Sequence, residues 1–308
     1  MIETSHGQLH GLLLQNEPMA RHVSWRAGGA ARQAFLPADI DDLAAFMRSL
    51  PPDEALLMVG LGSNLLVRDG GFAGTAIFTH GVTSGLSALR IEEGEIYAAA
   101  GVASPKLARF AANHDYAEAE FFAGIPGTVG GALAMNAGCH GGETWQYVSR
   151  VLMLNRHGEC IQRTPAEFEI GYRHVAPKTA RDEIFVAAWL RFPQGQQAVA
   201  RQRIRELLAR RIATQPLQLP NAGSVFRNPP GDHAARLIEA AGLKGAWLGG
   251  AQVSEMHANF IVNREGKARA SEIEMLVEKI QHLVSEKFGV QLVREVQIVG
   301  EKPVGETP

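Results

Sequence analysis

Two glycine loops constrain this chain more than any other feature. The first is Val59-Gly60-Leu61-Gly62-Ser63-Asn64-Leu65-Leu66-Val67. The second is Phe121-Phe122-Ala123-Gly124-Ile125-Pro126-Gly127-Thr128-Val129-Gly130-Gly131-Ala132, continuing to Met135-Asn136-Ala137-Gly138. Glycine has no Cβ, so a backbone rich in it lets N–H groups come close to an anion. Pro126 suits the start of a short apolar helical turn, and helix N-termini favour phosphate. Two such loops suggest a diphosphate held between them, and so a nucleotide cofactor.

The order of elements excludes one class of nucleotide fold. A dinucleotide fingerprint needs a strand, then G-x-G-x-x-G, then a helix. Here Gly60-Leu61-Gly62 follows the strand-like run 55–59, but the third glycine is missing. What comes next, residues 64–69, is a short apolar run closed by the turn signal Asp69-Gly70-Gly71, which reads as a second strand.

Bulk properties remove other classes. The 308 residues are enough for two or three packed units. With 46% hydrophobic and 20% charged residues, the whole chain cannot be disordered. A formal net charge of −2 gives no footprint for nucleic acid. No apolar run approaches the ~20 residues of a membrane span. The N-terminus lacks a basic segment leading into an apolar one, so a secretory signal is not expected. Cys139 and Cys160 are the two cysteines, too few for a disulfide framework and without metal-ligand spacing. A cytoplasmic protein without a metal, a membrane or an obligate protein partner is the expectation.

Periodicity gives the elements. Residues 39–50 predict a helix capped by Asp39, with Leu43, Phe46, Met47 and Leu50 on one face. Residues 95–100, 151–154 and 184–192 read as strands. Ser104-Pro105 is expected to cap and start a helix that buries Leu107, Phe110 and Ala111. Residues 1–195 then form a mixed α+β unit, with lobes of about 1–81 and 82–195. Gln194-Gly195-Gln196-Gln197 reads as a linker to a second α+β domain, 196–308. That domain should hold an arginine-rich helix at 199–212, a helix at 232–241, and the clearest helix of the chain. There Ser271 and Glu274 form a capping-box pattern, and Ile273, Leu276, Val277, Ile280, Leu283 and Val284 an apolar stripe closed by Gly289. Residues 292–299 read as a last strand, with Glu295 in its middle, and the tail from Pro303 as loose.

Seven segments together resemble the UDP-N-acetylenolpyruvoylglucosamine reductase family, or MurB family, and lie in its order. They are Trp25 to Ala30, Gly60 to Val67, Gly124 to Gly138, Gly171-Tyr172-Arg173, Ala222 to Pro229, Val253 to Phe260, and Arg294 to Ile298. The resemblance implies an FAD-binding module of the vanillyl-alcohol-oxidase type, of two lobes, followed by an α+β substrate-binding domain. It implies non-covalent FAD, with NADPH as hydride donor and a UDP-sugar enolpyruvate as substrate. Gly60, Gly62, Ser63, Asn64, Leu65, Gly124, Ile125, Pro126, Gly127, Thr128, Gly130, Gly131, Asn136 and Gly138 would then form the cofactor site. The short interval between Arg173 and Ser224 matches the family's shorter subclass.

Reducing an enol ether that carries a carboxylate needs hydride at one carbon, a proton at the other, and stabilisation of charge building on the carboxylate. By its residues alone, Ser224 in Asn221-Ala222-Gly223-Ser224 is a turn serine, and no Gly-x-Ser-x-Gly elbow surrounds it. The resemblance makes it the proton donor. Arg173 is either an ion-paired surface residue or, as the resemblance implies, the grip on the substrate carboxylate, which a guanidinium binds through two parallel hydrogen bonds. Glu295 would act on the enolic intermediate or hold the proton-transfer network. Tyr172, Asn228 and His257 match positions that line the substrate pocket. Arg211, just before Thr214-Gln215-Pro216, is a phosphate candidate; the other arginines of its helix read as a solvated face. The chain departs from the family at Met256, where many members carry lysine, and Arg210 or Arg211 would have to supply the missing cation.

Two rival readings remain open on sequence. One is a flavin oxidase of the same fold using oxygen, with FAD attached through Cys139 or His140. The other is a nucleotide-binding protein without turnover.

Overall fold

The computed structural model describes residues 3–4, 7–81, 86–179 and 182–303. The expected lobe division near residues 81–85 and the expected loose tail from Pro303 therefore fall outside the described residues, save Gly81 and Pro303. Backbone packing divides the chain into two compact units. Unit 1 comprises residues 1–14, 33–61 and 74–209; unit 2 comprises 15–32, 62–73 and 210–308. This differs from the linear division at 195/196, because two N-terminal segments pack with the C-terminal core.

Unit 1 is built on a five-stranded antiparallel sheet. Its order is Cys160–Arg163, Val148–Asn155, Glu183–Leu190, Glu95–Ala99, Leu89–Glu92. The central strands pair Val151 with Ala188 and Ala187 with Ala99. Their small side chains leave room for Leu107, Phe122, Val129 and Leu133, all fully or nearly fully buried in the same core. A second cluster forms around helix α1 (Ile40–Ser49), where Phe35 and Phe46 stack at 4.0 Å above Leu43, Met47 and Ile77. Asp39 caps α1 as expected, its carboxylate accepting from Asp42 N at 2.8 Å. Helix α2 (Ser104–Asn113) is capped differently: Ala103 is the N-cap, and Ser104 lies inside with its hydroxyl buried and unpartnered. Phe110 is only partly buried there; Leu107, Ala108, Ala111 and Ala112 make the inner face. Helix α3 (Val129–Met135) carries the second glycine loop, with Thr128 as N-cap and Asn136 as a left-handed C-cap at φ 41.

Helix α4 (Gln197–Thr214) begins at the last residue of the expected linker, where Gln194 makes an isolated bridge with Tyr116, and the division between units falls within the helix.

Unit 2 holds helices α5 (Ala234–Ala240) and α6 (Ala270–Phe288) with a three-stranded sheet of Trp247–Leu248, Ala251–Val253 and Ile261–Asn263. The recruited N-terminal segments are central to its core. Trp25 is fully buried, and its Nε1 donates to Ile261 O at 2.8 Å. Leu65–Val67 pairs in parallel with Gln297–Val299. Burial of such side chains stabilises by roughly 1.5–3 kcal/mol each, which no linear boundary could have retained. The α6 stripe is buried as its period predicts, and Gly289 closes the helix at φ 68. Its cap is not the expected one. Arg269 is the N-cap, Glu272 accepts from Arg269 N, and Asp69, distant in sequence, accepts from both Ala270 N (3.0 Å) and Ser271 N (2.8 Å). Ser271 Oγ has no partner among the described residues, and Glu274 instead takes a bidentate grip from Arg68, 2.8 and 2.9 Å. A partly buried carboxylate from another segment outcompetes a local serine because it serves two orphan N–H groups of the first turn at once.

Candidate active site

In unit 1, Gly60 and the second glycine loop meet. A Cβ on Gly60 would collide with the Thr128 hydroxyl, so this position must stay bare. Thr128 itself is buried and accepts from Gly131 N at 3.4 Å. Val129 N and Gly130 N donate to Val102 O and Ala100 O, both at 2.8 Å. Three N–H groups of this loop are thus committed within the protein. Gly127 N and Thr128 N have no acceptor among the described residues. Pro126 lies two residues before the cap rather than at the first helical position. Gly124 ends a short 3₁₀ turn, and Ile125 N returns to Phe122 O at 3.1 Å.

The first loop is more open. The successive N–H groups of Gly60, Leu61, Gly62, Ser63 and Asn64 have no acceptor among the described residues. Gly62 has φ +60, and a Cβ there would strike His22 O. Runs of uncommitted backbone donors form anion-binding concavities. These two glycine constraints and the free donors fit the diphosphate of FAD. Leu65 leads from this loop into the buried strand Leu65–Val67.

Asn136 commits both Nδ2 protons, and one acceptor site of Oδ1, within the protein. Its Nδ2 donates to Glu143 Oε2 (2.9 Å) and Gly171 O (3.0 Å), and its Oδ1 accepts from Trp145 N (3.1 Å). It ties the glycine loop to a hairpin, Phe168–Gly171 with His174–Pro177. Tyr172 and Arg173 are the turn of that hairpin. Tyr172 is half exposed, while Arg173 holds φ 53, a left-handed backbone that costs a non-glycine residue about 1–2 kcal/mol. Its guanidinium donates to Gly138 O (2.7 Å) and Asn136 O (3.3 Å) and lies over the Tyr172 ring at 5.1 Å. Cys139, next along, gives its thiol to Phe121 O at 3.0 Å.

In unit 2, Ser224 follows Gly223, which has φ +74 and open space around it. The Ser224 hydroxyl has no partner among the described residues and is partly exposed. Glu295 does not lie in mid-strand, because the last strand begins at Gln297. Instead Glu295 N donates to Val225 O at 2.8 Å, and Glu295 O accepts from Asn64 Nδ2 at 3.0 Å. The residue after Ser224 is therefore bonded directly to the backbone of Glu295, and the side chain of Asn64 holds the Glu295 carbonyl. The backbone here follows Val225 rather than a regular ladder, which hydrophobic alternation over 292–299 did not reveal.

The other expected ligand residues of unit 2 divide. Asn228 turns its Oδ1 to Ala234 N at 3.1 Å and serves the start of α5. Arg211 donates to Gln215 at 3.1 Å on α4. Met256 is exposed. His257 is half-buried, packs edge-on against Phe260 at 4.8 Å, and its Nδ1 faces Asn259 N at 3.3 Å. Burial pushes its pKa below the ordinary histidine value, with the Lys244 charge adding a little. As its folded pKa is depressed, its contribution to stability is present above the unfolded histidine value of about 6.5 and is lost as pH falls through it. The melting temperature will therefore drop more steeply on acidification from about pH 7.5 to 5.5 in the native chain than in His257→Gln. Parallel pH profiles would show that His257 titrates as it does in the unfolded chain.

Asn259 was given no role by sequence reasoning, although it lies inside one of the seven matching segments. It is buried at 4% exposure, and its side chain bonds both backbone groups of Phe226. The available signal was its polarity within the apolar run Ala258 to Val262.

No described helix is long and apolar enough to cross a membrane, and no described cluster of His, Cys, Asp and Glu can hold a metal.

Comparison with known proteins identifies two families. Residues 31–163 match the family described as "FAD binding domain". Residues 215–299 match "UDP-N-acetylenolpyruvoylglucosamine reductase, C-terminal domain". The chain is 57% identical over 305 residues to the UDP-N-acetylenolpyruvoylglucosamine reductase of Thiobacillus denitrificans, covering 96% of this chain and 94% of that one. It is 52% identical over 304 residues to that of Legionella pneumophila strain Paris, covering 98% and 99%. The crystal structure of the Thermus caldophilus enzyme superposes with a TM-score of 0.77 at 27% identity, over 94% of this chain and 99% of that one. The fold is accordingly the α+β FAD-binding architecture with a C-terminal reductase domain, and the chain belongs to the UDP-N-acetylenolpyruvoylglucosamine reductase family.

Proposed function

We infer that this chain is an FAD-dependent reductase that uses NADPH to convert UDP-N-acetylglucosamine enolpyruvate to UDP-N-acetylmuramate for peptidoglycan synthesis. The family relationship over nearly the whole chain carries the reading. The oxidase and the non-catalytic binder are thereby set aside. We place the enzyme in the cytoplasm.

FAD, when bound, supplies the hydride relay from NADPH to the enolpyruvyl carbon. The protein's own residues do the rest. The bare backbone of Gly60 and Gly62 and the uncommitted N–H groups of residues 60–64, 127 and 128 hold the diphosphate. Arg173 grips the substrate carboxylate and stabilises the charge that grows there. Ser224 gives its hydroxyl proton to the adjacent carbon. A serine is a weak acid, so it protonates carbon only when that carbon is strongly basic, as in an enolate-like intermediate. Glu295 holds the proton-transfer network and returns a proton to Ser224. Tyr172, His257 and Asn228 line the substrate site, and Arg211 takes phosphate. The observation favouring Ser224 as donor is its unpartnered hydroxyl on a glycine-opened turn, with the next residue bonded to Glu295.

The test is anaerobic. NADPH will bleach the flavin, and the enolpyruvyl sugar nucleotide will restore its colour without oxygen. Reoxidation by oxygen alone, with no response to the sugar nucleotide, would return the oxidase reading.

A further inference from the structure

We propose that Asn259 is the positioning residue for Ser224. This rests on the reading of Ser224 as proton donor. Four observations carry it. Asn259 Nδ2 donates to Phe226 O at 2.8 Å. Its Oδ1 accepts from Phe226 N at 3.0 Å. Its own backbone carbonyl accepts from Val225 N at 2.9 Å. The side chain is buried, so water cannot replace these bonds when they are lost.

The side-chain amide thus imitates the edge of a neighbouring strand. It meets one donor and one acceptor of the same residue, as a ladder partner would. An isolated turn after Gly223 has no such neighbour. Gly223 has φ +74 and open space where a side chain would stand, and its N–H donates to Asn221 Oδ1 at 2.9 Å, so the turn fixes the approach to Ser224 but brings no packing of its own. The two residues after Ser224 are instead fixed from both sides. Asn259 holds Val225 N and both groups of Phe226. Opposite it, Val225 O accepts from Glu295 N at 2.8 Å, and Arg227 N donates to Val293 O at 2.9 Å. The segment Val225–Arg227 is a pinned platform whose free end carries the proton donor. Asn259 adds nothing to the chemistry directly. It decides where the Ser224 hydroxyl sits relative to Glu295.

Burial of an amide is costly unless its groups are paired, and a leucine or valine would fill the same space at lower cost. An amide carries the donor and the acceptor that the C=O and the N–H of one residue need, fixed side by side in one plane. Aspartate keeps the shape but loses the donor and sets a carboxylate against Phe226 O. Asn259→Asp is therefore the informative change, with Asn259→Ala in parallel to lose both contacts without adding charge.

Both variants are measured as FAD-loaded enzyme alongside Ser224→Ala. We expect bound FAD and the rate of flavin reduction by NADPH to stay within about twofold of the native protein. We expect flavin reoxidation by the enolpyruvyl substrate to slow by about 10–100-fold, since a displacement near 1 Å can cost about 10²-fold. Amide hydrogen exchange should speed up at Val225 and Phe226 and stay unchanged in α6. In the Ser224→Ala background, Asn259→Asp should add less than about threefold, because a positioning residue has nothing left to position.

Equal slowing of both half-reactions overturns the proposal, as does a full, multiplicative effect in the Ser224→Ala background. Failure of both Asn259 variants to fold with FAD also overturns it, because Asn259 would then be a requirement of the fold. If Ser224→Ala itself leaves reoxidation unchanged, the proton-donor reading has failed, and that outcome is visible in the single variant.

Discussion

Ser224→Ala will leave the fold, the bound FAD and the first half-reaction intact while crippling the second. Reduction of flavin by NADPH needs no proton from this hydroxyl. Transfer onward leaves a substrate carbon that must be protonated. The change removes one oxygen that has no partner among the described residues, so no internal hydrogen bond is lost and no buried group is orphaned. A positioned general acid contributes about 10²–10⁴-fold. That corresponds to roughly 3–5 kcal/mol of barrier. Stopped-flow mixing should show near-native bleaching by NADPH and reoxidation slowed by that factor. Ser224→Cys should retain part of the rate, since a thiol can still donate a proton. Equal slowing of both steps in Ser224→Ala would make Ser224 structural and move the proton to Glu295.

The legible and illegible parts of this chain divide by range. Helix α1, helix α6 and the core strands of unit 1 were readable because their signals are local: a cap, an apolar period, a closing glycine. The α6 cap was misread because Asp69 reaches it from about 200 positions away in sequence. Local pattern favoured Ser271, whose hydroxyl has no partner among the described residues. The same is true of the unit boundary. Composition shifts at Gln194 to Gln197, yet Trp25 and Leu66 sit in the core of unit 2, a partnership that no window of sequence displays. The site shows the same division. Its glycines were visible as a motif, and the geometry explains them one by one: Gly60 yields to Thr128, and Gly62 to His22. The commitment of the Val129 and Gly130 N–H groups within the protein was not visible, because their acceptors, Val102 O and Ala100 O, lie on another segment. Asn136 shows that a motif residue also has structural work to do. Its side chain holds Arg173's hairpin to that loop through Gly171 O and ties in Glu143 and Trp145 N besides.

Arg173→Gly will separate that hairpin's stability from its function. At φ 53 the residue after Tyr172 occupies a conformation that glycine adopts freely and arginine does not. A hairpin selected only for folding would carry glycine or asparagine here. Arginine is kept in this strained backbone while its guanidinium lies against Gly138 O and Asn136 O, at the glycine loop. Strain held at such a place is a mark of function. The glycine variant loses two hydrogen bonds to backbone carbonyls and relieves the strain, terms of similar size and opposite sign. Its melting temperature and FAD content should stay close to native. Its reduction by the enolpyruvyl substrate's half-reaction partner, NADPH, should also persist. Turnover should fall by about 10²–10³-fold, the cost of removing one preorganised donor from a developing anion. Arg173→Lys should recover only part of this, because an ammonium cannot bind a carboxylate through two parallel bonds. If Arg173→Lys matches the native rate, a point charge is enough and the fork geometry is irrelevant. If Arg173→Gly turns over normally, the strained turn serves packing alone, and the substrate carboxylate is held by another cation.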